Sequence, residues 1–262
     1  MTTDLFCRRV EVVGVNRIVA VAYVFCTSTT AMNVTDWNAI ADAYSEINAP
    51  QGRAVLGFIR EKLTKLQPRR LFDYGGGDGK FALFCAESLS QTEIVTYDPS
   101  PKMTSLARSL CADFKQIRVI EAIKEVQSGI FDVVTFNGVW MCLATRETCL
   151  DALSATARLL RPNGSLIASV THPCFRTCKF PNYSTDFSDR DYFNDGTLFN
   201  VTICEDTREL HIVDTHWSLT AMISQLNESG FAIKNLYELP QSTSGSSQRD
   251  ASLWLVIVAR KL

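Results

Sequence analysis

The sequence predicts an α/β protein built around one mostly parallel β-sheet. From residue 53 to residue 170, short strand-like runs alternate with helical patterns, which is typical of βαβ units. In the segment "LFDYGGGDGK" at 71–80, four glycines follow a hydrophobic run that ends in a carboxylate, as expected where a buried strand turns directly into a helix. The chain has 262 residues, 46% of them hydrophobic, so it can form one full core.

Periodicity and capping signals define the elements of the first part of the chain. Apolar residues on one face predict a helix at 53–67. Ser100 followed by Pro101 predicts the N-cap and first turn of a helix that reaches about Cys111. A further helix at about 146–160 is expected to end at the turn "RPNG". The strands predicted after the glycine-rich segment are 93–98, 116–120, 131–136 and 165–170.

The alternation of strands and helices ends after residue 172. Residues 173–213 are rich in Phe, Tyr, Asp and Asn, and they follow the carboxyl end of the fifth strand, where open α/β sheets bind ligands. We therefore expect this insert to form a lid. A helix, "SLTAMISQLNESG", and two strand-like runs, "FAIKNLYEL" and "SLWLVIVAR", follow. The loop between these runs is too short for a helical crossover, which predicts an antiparallel closing strand.

Residues 1–31 differ from the rest of the chain. An apolar run, Ile18–Cys26, follows Arg8 and Arg9 as in a signal peptide, but it is too short to span a bilayer and has no convincing cleavage site. Met32 opens a segment that has the composition of a natural beginning. We expect residues 1–31 to be a dispensable or poorly ordered extension and residues 32–262 to form a single domain.

Charge and cysteine usage exclude several classes of partner. The formal net charge is −2 and the isoelectric point is about 6.0, without the clustered Lys and Arg of a nucleic-acid binder. Nine cysteines have no repeated spacing, and Cys174 with Cys178 is not followed by a second pair. We expect no metal site, reduced thiols and a cytoplasmic protein without nucleic-acid or membrane partners.

The glycine segment predicts a ligand lying against the main chain. Gly75, Gly77 and Gly79 alternate with other residues after Asp73, and such a turn exposes backbone N–H groups and has no room for Cβ atoms. A dinucleotide fingerprint would need a third glycine where Lys80 stands, and no P-loop sequence follows. The spacing therefore disfavours a pyrophosphate ligand.

Two carboxylates define the expected ligand further. Asp73 ends the first strand, where a carboxylate suits a ligand with positive charge. Asp98 ends the next strand, where a carboxylate can accept hydrogen bonds from both ribose hydroxyls. Together they indicate a nucleoside with a cationic tail.

Five segments in order resemble the successive motifs of class I S-adenosylmethionine-dependent methyltransferases, from about Trp37 to the C-terminus. They are "LFDYGGGDGKFALF", "VTYDPSPKMTSLAR", "FDVVTFNGVWMCL", "RLLRPNGSLIASV" and "SQLNESGFAI". The resemblance is to the small-molecule branch, of the type 11 and type 25 kind. It implies a Rossmann-like, doubly wound, seven-stranded sheet, S-adenosylmethionine as cofactor and S-adenosylhomocysteine as product.

The resemblance also implies roles for individual residues. The implied cofactor contacts are Tyr44, Asp73, Gly75, Gly77, Gly79, Asp98, Pro99, Met103, Glu121, Ala122 and Asn137. Asp98 would hold the ribose hydroxyls, Met103 would flank the adenine, and Tyr44 would close over the cofactor. The family's acidic adenine contact after the third strand is missing, and Glu121 or the backbone of Ala122 and Ile123 would replace it. Gly76 and Asp78 replace the more frequent Cys and Thr without blocking binding.

Three histidines are candidates for a general base, because a histidine pKa lies near neutrality. His172 is in "VTHPCF", directly after the fifth strand, and His216 precedes the helix after the insert. We expect His172 and His216 to be catalytic, whereas His211 lies in an alternating strand and is expected to face solvent. An enzyme that relies on proximity and has no essential base is the alternative.

Aromatic residues predict the acceptor. Those expected to bind it are Trp140, Phe175, Tyr192, Phe193 and Trp217. An apolar pocket of this kind holds a small organic molecule, so we expect methylation at N or O of an apolar or aromatic natural product, in secondary metabolism, by a monomer or homodimer. The alternatives are a protein or nucleic-acid methyltransferase and a non-catalytic cofactor-binding module. Amine-methylating nucleic-acid enzymes carry Asn/Asp-Pro-Pro-aromatic where this chain has "NGVW".

Overall fold

The computed structural model describes residues 33–47, 50–246 and 250–262, together with the short strands Arg9–Val10 and Ala22–Tyr23, which pair antiparallel. The chain divides into two units, 1–32 and 33–262. The expectation that residues 1–31 are dispensable falls almost wholly outside the described residues and stays a prediction. All elements below belong to the second unit.

The described residues of this unit contain six α-helices, at positions that capping residues and apolar helix faces in the sequence indicate. They are α1 (Trp37–Glu46), α2 (Pro50–Leu66), α3 (Lys80–Ala86), α4 (Pro101–Cys111), α5 (Arg146–Leu159) and α6 (Leu219–Glu228). The hydroxyl of Ser100 accepts a hydrogen bond from the backbone N–H of Met103 at 3.2 Å, and Pro101 occupies the first turn. Ser218 caps α6 in the same way. Both predicted helix starts are confirmed.

Ten strands lie among the described residues of this unit. They are β1 (Arg70–Tyr74), β2 (Glu93–Tyr97), β3 (Ile117–Ile120), β4 (Phe131–Asn137), β5 (Leu160–Thr171), β6 (Tyr183–Thr185), β7 (Leu198–Glu205), β8 (Arg208–Thr215), β9 (Phe231–Gln241) and β10 (Ala251–Lys261). Single 3₁₀ turns are at Ile123–Glu125, Trp140–Cys142, Pro173–Phe175 and Asp189–Asp191.

Seven of these strands form the predicted sheet, in the order β9-β10-β5-β4-β1-β2-β3. The pairs from β5 to β3 are parallel, whereas β10 runs antiparallel to both β9 and β5. The doubly wound fold class and its antiparallel closing strand are confirmed. The carboxyl ends of β1, β2 and β4 meet at one edge, which is where such sheets bind ligands.

The segment "RPNG" differs from the prediction. It was expected to be a turn between a helix and a strand, but β5 begins at Leu160, directly after α5 ends. The register of β4 and β5 jumps from Phe131–Leu160 to Val133–Ser165, and Asn163 adopts a φ of 60°. The turn residues therefore form a bulge inside the strand.

Apolar side chains cover both faces of the sheet. One face packs against α5 and α6 through Leu153, Leu226 and their neighbours. The other face packs against α2 and α3 through Ile59, Leu63 and Phe81. These two layers hold the strands rigidly, so the positions of residues at the strand ends are well defined.

The insert folds around its own small core. Strands β6, β7 and β8 form a three-stranded antiparallel sheet in the order β8-β7-β6. Its buried residues pack with half-buried Trp37 and Tyr44 of α1. The Thr35 hydroxyl donates to the Val213 carbonyl at 3.0 Å and accepts from the Val213 N–H at 2.7 Å. The insert and the α1 segment therefore form one layer.

Candidate cofactor and acceptor site

The glycine-rich turn joins β1 to α3 in a conformation that favours glycine. Gly75, Gly77 and Gly79 have φ values of 69°, 57° and 85°, in the left-handed region that other residues rarely adopt. The N–H groups of Gly75 and Gly76 both donate to the Tyr97 carbonyl, at 2.8 and 2.9 Å. The turn is thereby held against the end of β2.

Two adjacent glycines serve different purposes in this turn. A Cβ atom at Gly76 would lie 2.0 Å from the Thr96 hydroxyl and 2.6 Å from Oδ2 of Asp73. Gly76 is therefore required by the sheet beneath it, which explains why this chain lacks the family's more frequent cysteine there. A Cβ at Gly77 would meet nothing within 4 Å among the described residues. At Gly77 the main chain is open to a ligand.

Asp98 lies at the end of β2 and over this turn. Its Oδ2 accepts from the Gly77 N–H and its Oδ1 from the Ser100 N–H, both at 2.9 Å. Burial raises the pKa of Asp98, and the two backbone hydrogen bonds act in the opposite direction. A carboxylate has about four acceptor positions, so each oxygen has one left for a ligand hydroxyl.

Asp73 is buried at the end of β1, with 1% of its surface exposed. Its Oδ1 accepts from the Thr135 hydroxyl at 2.8 Å and its Oδ2 from the Thr96 hydroxyl at 3.4 Å. Burial raises the pKa of Asp73 to about 7, although these hydrogen bonds favour the carboxylate. A positive charge nearby would stabilise its ionised form.

Asn137, at the end of β4, presents an unsatisfied donor. Its Oδ1 accepts from the Ser169 hydroxyl at 3.5 Å. Its Nδ2 is buried and has no hydrogen-bond partner among the described residues. The open main chain at Gly77, the remaining acceptor positions of Asp98 and this amide fit a nucleoside that carries an amino-acid tail.

Lys80 anchors helix α1 beside this site. From the sequence, this residue only counts against a dinucleotide fingerprint, because it stands where a glycine is needed. The Lys80 ammonium lies 2.9 Å from Oδ2 of Asp78 and donates to the Ser45 carbonyl. Tyr44, the preceding residue, packs edge-on against Trp37 with ring centroids 5.2 Å apart. Burial raises the pKa of the Tyr44 phenol, and the charges of Asp78 and Asp98 add to it. Tyr44 therefore lies near the turn.

The remaining predicted cofactor contacts differ in exposure and in their hydrogen-bond partners. Met103 is 2% exposed and packs inside α4, whereas Pro99 is exposed. Glu121 pairs with Arg108 at 2.8 Å on the surface. The N–H groups of Glu121 and Ala122 both donate to Oε1 of Glu125, at 2.9 and 2.7 Å. The acidic group at the end of β3 is thus Glu125, which sequence reasoning missed because it lies beyond the usual position.

Both predicted bases already have partners at each ring nitrogen. His172 is 4% exposed, its Nδ1 accepts from the Cys174 N–H at 3.2 Å, and its Nε2 lies 2.9 Å from Oε1 of Glu238. Burial lowers the pKa of His172, against the effect of Glu238. A neutral ring that donates through Nε2 satisfies both contacts.

His216 is fully buried in the insert. Its Nδ1 accepts from Nε of Arg176 at 3.0 Å, and its Nε2 donates to the Tyr192 carbonyl at 2.8 Å. Burial lowers the pKa of His216. The third histidine, His211, is exposed and contacts the Thr202 hydroxyl at 3.2 Å, as expected.

The five predicted acceptor aromatics do not come together in one pocket. Trp140 is fully buried and donates to Gln225 at 2.7 Å, and Trp217 is 3% exposed and donates to the Leu143 carbonyl at 3.2 Å. Both belong to the core between the sheet and α5 and α6. Phe193 is 87% exposed. Phe175 packs against His172 at a tilted angle of 59°, and Tyr192 packs edge-on against Phe193. A single aromatic pocket is not supported by this arrangement.

In the part of the chain that the structure describes, no cluster of three or more His, Cys, Asp or Glu side chains could hold a metal ion. Cys174 and Cys178 are free thiols. Among the described residues, no helix has both the length and the hydrophobicity that crossing a membrane requires.

Solved structures show the same fold. A putative S-adenosylmethionine-dependent methyltransferase from Listeria monocytogenes is 19% identical and aligns over 80% of this chain and 99% of its own, with a TM-score of 0.56. The 1,6-didemethyltoxoflavin-N1-methyltransferase from Burkholderia thailandensis, solved with 1,6-didemethyltoxoflavin and S-adenosylhomocysteine, is 16% identical over 86% and 85%, with a TM-score of 0.55. The N-methyltransferase NodS from Bradyrhizobium japonicum is 13% identical over 87% and 99%, with a TM-score of 0.57.

A curated relative is the release factor glutamine methyltransferase of Deinococcus radiodurans, which is 27% identical over 118 residues, or 43% of this chain. The match spans 42% of the length of that relative. A family model described as a methyltransferase domain matches residues 34–235. The chain therefore belongs to the methyltransferase-domain family, and its fold is that of solved S-adenosylmethionine-dependent methyltransferases.

Proposed function

We propose that this protein transfers a methyl group to a nitrogen or oxygen atom of a small-molecule acceptor held beneath the insert and α1. The layer formed by these two segments is the observation that carries the proposal. The Thr35–Val213 hydrogen bonds join its two parts, and Lys80 anchors it beside the glycine turn. A covered site of this kind suits a small acceptor better than a nucleic acid or a folded protein.

S-adenosylmethionine supplies a methyl group when bound: the acceptor lone pair bonds to its carbon, the carbon–sulfur electron pair passes to sulfur, and the acceptor loses a proton. The chain contributes position. Asp98 and the open main chain at Gly77 would hold the nucleoside, Asn137 and Asp73 would lie on the side of its tail, and the layer would exclude water. Orientation alone can lower the barrier by roughly 7–11 kcal/mol.

Proximity is the better account of proton loss. Each ring nitrogen of His172 and His216 already has a partner within the protein. A catalytic role for either histidine stays a prediction. His172→Gln should therefore reduce turnover by less than the about 10²–10⁴-fold that loss of a general base costs, while it lowers the melting temperature. His211→Gln, on the exposed face, is the matched control for both measurements.

Two similar solved structures are named for N-methylation, one of them with the small molecule 1,6-didemethyltoxoflavin bound. These names favour nitrogen as the methylated atom here. An apolar or aromatic natural product was expected from the sequence, but the dispersal of its aromatic residues weakens that expectation.

A protein acceptor is the second candidate, because the curated relative is a release factor glutamine methyltransferase. An acceptor amide or base would need an aromatic ring of the "NGVW" segment to stack on. Trp140 of this segment is fully buried and hydrogen-bonded to Gln225, so it does not present its ring to an acceptor. The covered site also disfavours a protein side chain that must enter with its backbone.

The test is incorporation of isotope-labelled methyl groups. The full-length protein and labelled S-adenosylmethionine are incubated with cell extract that has been divided by ultrafiltration into small molecules and macromolecules. Label should appear in the small-molecule fraction, and Asp98→Ala should abolish it. Label confined to the macromolecules would favour the protein acceptor, and cofactor binding without any transfer would favour a non-catalytic module.

A further inference from the structure

The insert buries a cation whose partners are all neutral. Arg176 is 2% exposed. Its Nε donates to Nδ1 of His216 at 3.0 Å and its Nη1 to the Thr171 hydroxyl at 2.8 Å. Its Nη2 is buried and has no hydrogen-bond partner in the described part of the chain. His216 accepts through Nδ1 and is therefore neutral, so nothing in this set balances the guanidinium charge.

A carboxylate is buried on the same surface. Asp214, on β8, is 1% exposed, and its Oδ1 has no hydrogen-bond partner among the described residues. Across the small sheet, Asp214 pairs in register with Phe199 of β7. The guanidinium of Arg176 lies over the same Phe199 ring, with its Cζ 4.6 Å from the centroid. The two charged side chains therefore both lie beside Phe199 of the small sheet.

These two charges do not neutralise each other directly. Each lowers the cost of burying the other at a distance, yet among the ion pairs of the described residues none joins Arg176 to Asp214. Burying a charge without a hydrogen-bonded partner is costly. If Arg176 and Asp214 were a purely structural pair, direct contact between them would stabilise the fold. The lack of direct contact therefore suits a molecule that binds between the two groups.

The strand that carries Asp214 lies next to the candidate cofactor site. Strand β8 packs against the turn Trp140–Cys142, which follows Asn137 at the end of β4. Burial raises the pKa of Tyr44 and of Cys142, and in both residues the charges of Asp98 and Asp214 add to the rise. The charge of Asp214 therefore acts on two side chains that are also affected by the charge of Asp98, the residue predicted to bind the ribose.

We propose that Arg176 and Asp214 bind the two polar ends of the methyl acceptor, so that the acceptor is a small carboxylic acid carrying an amine or hydroxyl group. The carboxylate pairs with Nη2 of Arg176, because a guanidinium matches carboxylate geometry. The amine or hydroxyl donates to Oδ1 of Asp214. This inference rests on the proposed function and replaces the apolar acceptor expected from the sequence, with Phe199 and Phe187 against the hydrocarbon part.

Fractionated extracts test the acceptor class. Small molecules are divided into a fraction retained on an anion exchanger and a neutral fraction extracted into an organic solvent, and S-adenosylhomocysteine formation is measured with each. Product should form with the anionic fraction. Product from the neutral fraction alone overturns the inference and leaves the proposed function standing. Product from neither fraction above the Asp98→Ala background overturns both.

Asp214→Asn tests the site directly, with Asp206→Asn as the matched control in the exposed turn of the same insert. Asp214→Asn should reduce turnover of the anionic fraction by about tenfold or more, as loss of a charged hydrogen bond does. Its affinity for S-adenosylhomocysteine should stay unchanged, and its melting temperature should not fall, because the unpartnered charge is removed. Unchanged turnover, or a loss of turnover matched by a fall in melting temperature, would show a structural role and overturn the inference.

Discussion

The cofactor edge of the sheet and the insert treat their buried polar groups differently. At the cofactor edge, the carboxylates of Asp73 and Asp98 accept hydrogen bonds from Thr135, Gly77 and Ser100 at 2.8–2.9 Å. In the insert, Arg176 and Asp214 each have an atom without a partner among the described residues. Both carboxylates of the first region are hydrogen-bonded before a ligand arrives, although the nearby Asn137 Nδ2 is not, whereas both charged groups of the second region keep an unpartnered atom.

This difference follows from what each region recognises. A common cofactor can be held by main chain and by a few carboxylates whose own positions are fixed by the sheet. A particular acceptor must be recognised by side chains that match its own polar groups, and groups that await a ligand cost stability until it binds. Substitutions and changes of pH can perturb either region, and their expected effects range from loss of cofactor binding to faster hydrogen exchange in one helix.

Gly76→Val should have the largest effect on cofactor binding, because its Cβ would lie 2.0 Å from the Thr96 hydroxyl and 2.6 Å from Asp73. Overpacking typically costs about 1–3 kcal/mol, and this clash is with the rigid sheet, so we expect at least that loss together with loss of cofactor binding. Urea denaturation and calorimetry with S-adenosylhomocysteine measure the two effects.

Gly57→Ala is the control for this substitution. Gly57 lies inside α2, and a Cβ there would meet nothing within 4 Å among the described residues. Alanine should stabilise the helix by about 0.5–1 kcal/mol. Cofactor binding by Gly76→Val at the affinity of the unaltered protein would show that the turn can shift and that its geometry is not required.

The two regions should share one pH dependence. Burial raises the pKa of Asp73 and of Asp214 from 3.8 to about 7, so between these values the folded state binds more protons than the unfolded chain. The free energy of unfolding should therefore fall as the pH rises from about 4 to about 7, by on the order of 4 kcal/mol per residue. The buried histidines act oppositely below pH of about 6.5, because burial lowers their pKa.

Variants separate these contributions. Asp73→Asn and Asp214→Asn should each flatten the dependence of urea-denaturation free energy on pH, relative to the unaltered protein. Saturating S-adenosylmethionine should remove the part that belongs to Asp73, because a nearby positive charge favours its carboxylate, and should keep the part that belongs to Asp214. Equal effects on both residues would place the ligand charge elsewhere.

Asp98→Asn should weaken cofactor binding with little effect on stability. Hydrogen bonds to a charged group contribute about 1.5–3 kcal/mol, so we expect an affinity loss of roughly 10- to 100-fold by calorimetry. Glu121→Gln is the comparison at the end of the next strand. Its carboxylate pairs with Arg108 on the surface, so its effect should be within about twofold. The reverse ranking would assign the ribose to Glu121.

Lys80→Met should have the smallest effect, confined to α1. It removes the ion pair to buried Asp78 and the hydrogen bond to the Ser45 carbonyl, which we expect to cost about 1 kcal/mol. Hydrogen exchange in residues 37–46 should become faster. Lys102→Met removes an exposed pair with Asp42 at 3.3 Å and should change exchange little. Equal exchange in both variants would show that Lys80 does not anchor the helix.

Much of the fold followed from local pattern. The Ser100–Pro101 helix start, the parallel order of the strands and the antiparallel closing strand are all confirmed. The bulge at Asn163 was not foreseen, because its turn residues have the same composition as a loop. The family itself was identified from five ordered motifs, and the family model over 34–235 confirms it.

The acceptor side was predicted less well. An aromatic side chain has the same sequence signature in a core and in a pocket, so Trp140 and Trp217 could not be distinguished from Phe193 by sequence. The positions of His172 and His216 in the sequence predict a general base. Whether a ring nitrogen is free depends on partners that are distant in the chain, such as Glu238 and Arg176.

Glycine spacing, strand ends and motif order are properties of neighbouring residues, and the alternation of sheet and helix translates them directly into positions at one edge. The sequence alone therefore specified the sheet and the turn at Gly75–Gly79, and it placed Asp98 at the end of the second strand, where its ribose-binding role stays a prediction. The approach of Arg176 to Phe199 and Asp214 joins three segments of the insert. Only tertiary packing could decide it, because burial and pairing depend on contacts between residues that are far apart in the chain.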